Sequence, residues 1–191
     1  MIEIRIHGRG GQGNVVAAYL LAQAAFHQGM YCQAFPNFGA ERRGAPVVAF
    51  VRLDDKPIRR RSQVREPAFL IVQDQALLNV PGVTSGLNPS GAILVNSTQD
   101  ESWLNEHLGK TTVALPANAM AKEHLGRPVP NTALLSAFLS LTGLFPIDAL
   151  KEALADRFKG ELLERNARLV DVAAERVNAG IWNEAVHATS T

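Results

Sequence analysis

The stretch Ile2-Glu3-Ile4-Arg5-Ile6-His7-Gly8-Arg9-Gly10-Gly11-Gln12-Gly13 decides the fold. From Ile2 to Ile6 apolar and polar residues alternate, the period of two that a half-buried strand produces. The glycines follow directly. From Asn14 the texture changes to Val15, Val16, Ala18, Leu20, Leu21, Ala24 and Ala25, small and apolar at helical spacing as far as Gly29. Strand, glycine turn and helix in that order build an anion site: glycines let the backbone turn tightly with its N–H groups outward, and the helix N-terminus adds partial positive charge. Gly8, Gly10 and Gly13 also satisfy G-x-G-x-x-G between a strand and a helix.

Outward from this stretch, Tyr31 to Phe35 reads as a second strand closed by Pro36, and Asn37 to Gly44 as a polar loop. Val47 to Leu53 is a near-continuous β-favouring run, and Phe69 to Val72, Ala92 to Val95 and Thr111 to Leu115 are further strands. A short helix is expected from Gln75 to Asn79 and another from Ala117 to Leu125. Thr132 to Leu141 is apolar nearly all round and reads as a buried helix. Pro146 opens a helix with Ile147, Leu150, Leu154 and Phe158 on one face, and a last helix runs from Gly160 to about Val177. The expected fold is α/β and Rossmann-like, with a mainly parallel, doubly wound sheet and C-terminal helices. Residues 1–180 form one domain, and a small polar tail, 181–191, frays after Trp182.

Composition narrows the function. The 191 residues are 47% apolar and 19% charged with a net charge of +1, which gives no general attraction to nucleic acid or acidic membranes. The lone Cys32 excludes an internal disulfide or a cysteine-rich metal site within this chain. Glu3 and Arg5 stand where a signal peptide needs an apolar core, and no run is long enough to span a membrane, so a cytoplasmic protein is expected.

The candidate site residues are Gly8, Gly10, Gly11, Gln12 and Gly13, with Arg42 and Arg43 in the glycine-bounded loop Gly39-Ala40-Glu41-Arg42-Arg43-Gly44. Fork-shaped guanidinium donors at a strand end suit phosphate or carboxylate. A dinucleotide site would also need an acid ending the second strand to hold the ribose. That strand ends Gln33-Ala34-Phe35-Pro36, and the first acid beyond is Glu41. A phosphate-containing ligand without that ribose contact fits better. The plainer alternative is glycines that only let helix and strand pack closely. Arg59-Arg60-Arg61 reads as a docking or merely solvated face. No serine, histidine or paired-carboxylate arrangement makes a self-sufficient catalytic centre.

Four segments resemble the gamma subunit, or domain III of fused forms, of the 2-oxoacid:ferredoxin/acceptor oxidoreductases, the family of pyruvate:ferredoxin oxidoreductase and phenylglyoxylate dehydrogenase. They are Gly8 to Gly13; Gly39 to Gly44 leading to Val51-Arg52-Leu53-Asp54-Asp55-Lys56-Pro57-Ile58; Pro89 to Asn96; and Asn131-Thr132-Ala133-Leu134-Leu135 with Glu164-Arg165-Asn166. The resemblance implies a non-catalytic chain inside a complex with alpha-, beta- and delta-type subunits. Such complexes oxidatively decarboxylate a 2-oxoacid to an acyl-CoA and pass electrons to ferredoxin or another acceptor, as in anaerobic metabolism. Thiamine diphosphate, Mg and 4Fe-4S clusters belong to the partner subunits, and the gamma chain contributes structure and part of the CoA site. One departure stands out: where the family loop reads Arg-Gly-Gly, Arg43-Gly44 is followed here by Ala45 and Pro46. The rival expectations are a stand-alone NAD or FAD oxidoreductase and a purely architectural subunit.

Overall fold

The first strand, β1 (Ile2–Arg9), lies in the middle of the sheet, and the rest of the chain is laid out on both sides of it. The computed structural model describes residues 1–37 and 44–189. The other strands are β2 (Tyr31–Pro36), β3 (Pro46–Asp54), β4 (Phe69–Val72), β5 (Ala92–Asn96) and β6 (Thr111–Leu115), in the spatial order β2-β3-β1-β4-β5-β6. β1, β4, β5 and β6 pair in parallel, as the expected α/β fold requires. β3 instead runs antiparallel to both β1 and β2. The difference is a matter of linkage: only residues 37–45 separate β2 from β3, fewer than the dozen or so a parallel crossover needs, and so short a connection returns the chain antiparallel.

Alternation along the strands sorts residues between two faces. Ile2, Ile4 and Ile6 of β1, Val51 and Leu53 of β3, Phe69 and Ile71 of β4, and Leu94 of β5 enter the main core. Against them pack α1 (Asn14–His27), α3 (Ala117–Leu125), α4 (Asn131–Thr142), α5 (Asp148–Arg157) and α6 (Gly160–Glu175). The opposite face is thinner. Leu70, Val72, Ile93 and Val95 are covered there by Leu77, Val83 and Leu87 of the 75–91 segment and by Leu104 of α2 (Glu101–Leu108).

α4 is the buried helix the sequence predicts: every residue except Ser140 is buried. Its hydroxyl stripe is matched by α6. Thr132 Oγ1 donates to Asn166 Oδ1 (2.8 Å), Ser136 Oγ to the Val170 carbonyl (2.5 Å) and Ser140 Oγ to the Ala174 carbonyl (3.1 Å). Three polar groups are thus satisfied along one helix pair, which is how a helix with hydroxyls sits inside a core.

The residues after Trp182, where fraying is expected, begin with a helix rather than irregular chain. Trp182 is buried and stacked on Phe69, with ring centroids 5.7 Å apart. The Gly180 and Trp182 amides donate to the carbonyls of Ser140 and Leu141. α7 (Asn183–Thr189) then continues from this anchor. A single large aromatic outweighs the polar composition around it.

At β6 the side chains of α2 close the edge: Asn105 Oδ1 accepts from the Thr112 amide (2.6 Å) and Glu101 Oε1 from the Ala114 amide (3.1 Å). On the thin face of β1 and β3, Arg52 is wholly buried. Its Nε donates to Glu3 Oε1 at 2.6 Å, and its other nitrogens reach Gln33 and the carbonyls of Arg60 and Ser62.

Candidate functional site: the glycine turn and its cationic cavity

The turn after β1 is built by glycine conformations no other residue adopts at ease. Gly11 has φ 95° and Gly13 φ 77°, both left-handed. Gly13 is also sterically required, because a Cβ there would stand 2.7 Å from Asn131 Nδ2. At Gly8 a Cβ would meet Gln73 Oε1 at 3.0 Å and Asn14 Cβ at 3.2 Å. The packing alternative therefore describes Gly8 and Gly13 in part. Gly11 faces open space, so only its backbone angle demands glycine.

The backbone donors of the turn divide by task. Gly10 N–H donates to the Ala45 carbonyl and Gln12 N–H to the Arg9 carbonyl, while Gln12 Oε1 accepts from the Arg9 amide at 2.7 Å. These bonds hold the turn's shape. The Gly11 and Gly13 amides make no hydrogen bond among the described residues and stand next to the N-terminus of α1. Arg9 points elsewhere: its Nε meets Asp74 Oδ2 at 2.5 Å and its Nη1 the Gly44 carbonyl at 3.2 Å.

The turn is braced from the far end of the sequence. Asn131, the first residue of α4, donates from Nδ2 to the Gly13 carbonyl at 2.9 Å. Its Oδ1 accepts from Gln73 Nε2, also at 2.9 Å, and Gln73 is fully buried at the end of β4. Asn14 fixes the other side by donating to the Val47 carbonyl at 3.0 Å.

Gly11, Gln12 and Gly13 form one wall of a cavity of about 240 Å³. Val16, Leu20, Leu125, Val129 and Phe158 give it an apolar lining, Arg127 and Arg157 add two cations, and no acid stands among the described lining residues. Arg127 follows Gly126, the left-handed cap of α3, and Arg157 ends α5, where a cation also suits the helix dipole. Sequence reasoning did not find these two arginines. The signal was slight: each is a single cation at a helix end, more than a hundred residues beyond the turn, and only the fold brings them to it. The Arg42 and Arg43 expectation lies outside the described residues. Of the arginine run, Arg60 reaches Glu3 Oε2 at 3.4 Å, and its carbonyl helps to hold Arg52.

Cys32, the chain's one cysteine, is half-buried, and burial pushes its thiol up. A single such thiol does not fit an iron–sulfur cluster. Among the described residues no group of histidine, cysteine and carboxylate side chains can hold a metal ion, and no helix is long and apolar enough to cross a membrane.

Fold and site together define an α/β protein with a left-handed glycine turn after its first strand and no metal centre among its described residues. The chain belongs to the pyruvate ferredoxin/flavodoxin oxidoreductase family, whose model matches residues 3–176, and within it to the gamma-type subunits. The pyruvate synthase subunit PorC of Methanocaldococcus jannaschii is 50% identical over 173 residues, covering 91% of this chain and 95% of that protein. The common gamma subunit of the pyruvate and ketoisovalerate oxidoreductases of Pyrococcus furiosus is 49% identical over 179 residues, covering 92% and 97%. In solved structures the fold recurs in the pyruvate oxidoreductase subunit PORC of Thermotoga maritima, with TM-score 0.82, 35% identity and coverage of 91% of this chain and 95% of that one. It recurs again within the longer 2-oxoglutarate:ferredoxin oxidoreductase of Magnetococcus marinus, with TM-score 0.72 and 21% identity over 94% of this chain and 32% of that one.

Proposed function

We propose that this chain works as the gamma subunit of a thiamine diphosphate-dependent, CoA-acylating 2-oxoacid:ferredoxin oxidoreductase complex, and that its glycine turn supplies part of the CoA site. Alpha-, beta- and delta-type partners carry the thiamine diphosphate, Mg and 4Fe-4S clusters, in keeping with the single cysteine here. The observation that carries the CoA reading is the cavity bounded by the Gly11 and Gly13 amides, Arg127 and Arg157, without an acid among its described lining residues. CoA presents a pyrophosphate and a 3′-phosphate, which amides at a helix N-terminus and guanidinium forks accept, and an adenine that an apolar lining suits. The Magnetococcus marinus enzyme, which contains this fold, is known with coenzyme A bound.

On this reading the chain performs no bond-making step. Gly10 and Gln12 set the turn, Gly11 and Gly13 present donors, the arginines supply charge, and Asn131 holds the turn against α4. Arg42 and Arg43 belong to the same proposal as additional charge partners. The test is the double variant Arg127→Ala/Arg157→Ala in the assembled complex. Loss of a charged hydrogen bond costs about 1.5–3 kcal/mol, so the KM for CoA rises by at least tenfold while that for the 2-oxoacid is unchanged. Equilibrium binding of CoA weakens in parallel. Unchanged CoA binding in an intact complex leaves the architectural reading, and NAD binding to the isolated chain would favour the stand-alone alternative.

A further inference from the structure

Arg5 and His7 stand on the side of β1 facing away from the main core, and both are buried, with 9% and 8% of their surface exposed. Arg5 Nη2 donates to the Val83 carbonyl at 3.0 Å and to the Ser85 carbonyl at 2.5 Å. Among the described residues no carboxylate is paired with it, and its Nε and the Nε2 of His7 are buried without a hydrogen-bond partner. The contrast with Arg52, on the adjacent strand β3, is direct: that buried guanidinium meets the Glu3 carboxylate. Buried charges in folded proteins are paired, and a guanidinium held only by neutral carbonyls is an uncompensated one.

Arg5 lies in the wall of a cleft of about 320 Å³ that also carries Arg65, Gln63 and Asn37 and has no acid among its described lining residues. It shares His7, Asn37, Val48 and Gly82 with a neighbouring cleft of about 290 Å³, whose walls include Leu77, Val80 and Val83. A cationic half therefore opens into an apolar half beside the C-terminal end of β1. We propose that this double cleft binds a short-chain carboxylic acid, its carboxylate compensating Arg5 and Arg65 and its aliphatic part lying against Leu77 and Val80. Small-ligand sites combine these features: apolar walls and a few convergent polar groups. The site is separate from the cavity at the glycine turn, and it stands whether or not that cavity takes CoA. The carboxylate can arrive on a free acid or on an Asp or Glu side chain of another subunit.

Butyrate is the probe, with butyramide as its uncharged counterpart, titrated into the full chain and followed by the amide resonances of His7 and Val83. Butyrate is expected to give saturable shifts, with butyramide at least about tenfold weaker, the value of one charged hydrogen bond. Arg65→Ala, on an exposed side chain, is expected to weaken butyrate several-fold while the spectrum elsewhere is unchanged. Repeating the titration on the assembled complex separates the two sources. Retained binding identifies a free acid; binding lost on assembly, with the His7 resonance already at its shifted position, identifies a carboxylate side chain of a partner subunit. No saturable shift in the full chain, equal binding of butyramide, or an Arg65→Ala variant indistinguishable from the parent would overturn the proposal.

Discussion

Asn131 Nδ2 donates to the carbonyl of Gly13, 118 residues earlier, across 2.9 Å. The same amide leaves Gly13 no room for a side chain, so one contact explains both the glycine and the asparagine. Because Gln73 Nε2 in turn donates to Asn131 Oδ1, strand, helix and turn meet in one buried chain of hydrogen bonds.

Replacing Asn131 by alanine strands the buried Gln73 amide and removes one of the two bonds to the Gly13 carbonyl, which keeps the Ala17 amide. A buried polar group left unmet costs about 1–3 kcal/mol and an ordinary hydrogen bond about 1, so the loss in urea unfolding is expected to be about 2–4 kcal/mol. Asn131→Asp keeps the acceptor for Gln73 but sets a carboxylate against a carbonyl, and should recover less than half of that loss.

Gly11 and Gly13 separate strain from collision. Gly11→Ala meets open space and carries only the left-handed strain, about 1–2 kcal/mol. Gly13→Ala carries that strain and drives a methyl into the Asn131 amide. The expected result is a measurably larger loss of stability at Gly13, by at least about 1 kcal/mol. Equal losses at the two positions would mean that Asn131 moves aside freely.

His7 makes stability depend on pH. Burial, and secondarily the Arg5 charge, pushes its imidazole down to about 3. Below its ordinary value near 6.5 the unfolded chain takes up a proton that the folded chain refuses, so this contribution is complete above that value and is lost as pH falls towards 3. Between pH 6.5 and 4.5 the parent should lose roughly 2–3 kcal/mol more than His7→Leu, read from denaturant midpoints at each pH.

The Arg52–Glu3 pair is expected to show strong coupling. Arg52→Met leaves a largely buried carboxylate with only its longer contact to the exposed Arg60 and should cost about 3–5 kcal/mol. Adding Glu3→Gln removes the stranded charge, so the double variant is expected to be more stable than the sum of the single losses implies. Additive losses in the cycle would show that the two side chains do not act together.

Much of this was legible from local pattern. The strand–glycine–helix opening, all five later strands and the buried helix α4 follow from periodicity and β-favouring composition. α2 was missed because Leu104 is its only buried residue, leaving no apolar stripe to read; its end signals, Asp100 capping the Trp103 amide and left-handed Gly109, were present. Arg52 sits in a strand whose neighbours Val51 and Leu53 face the core, and nothing local shows that Glu3, on another strand, makes its full burial tolerable. The antiparallel placement of β3, the arginines at the glycine-turn cavity and the Asn131 brace all depend on partners distant in sequence. Local patterns do not specify such pairings.

The strand order also bears on how the chain assembles as it leaves the ribosome. β4, β5 and β6 are made in the order in which they stand outward from β1, so on that side each newcomer adds to an open margin. On the other side β3 is made after β2 yet lies between it and β1. Those two strands are most simply joined as a hairpin before they dock, since a hairpin closes in microseconds and spares the chain an insertion between partners already paired. When β6 arrives, α2 has already been made, so the growing margin is sealed by side chains that precede it.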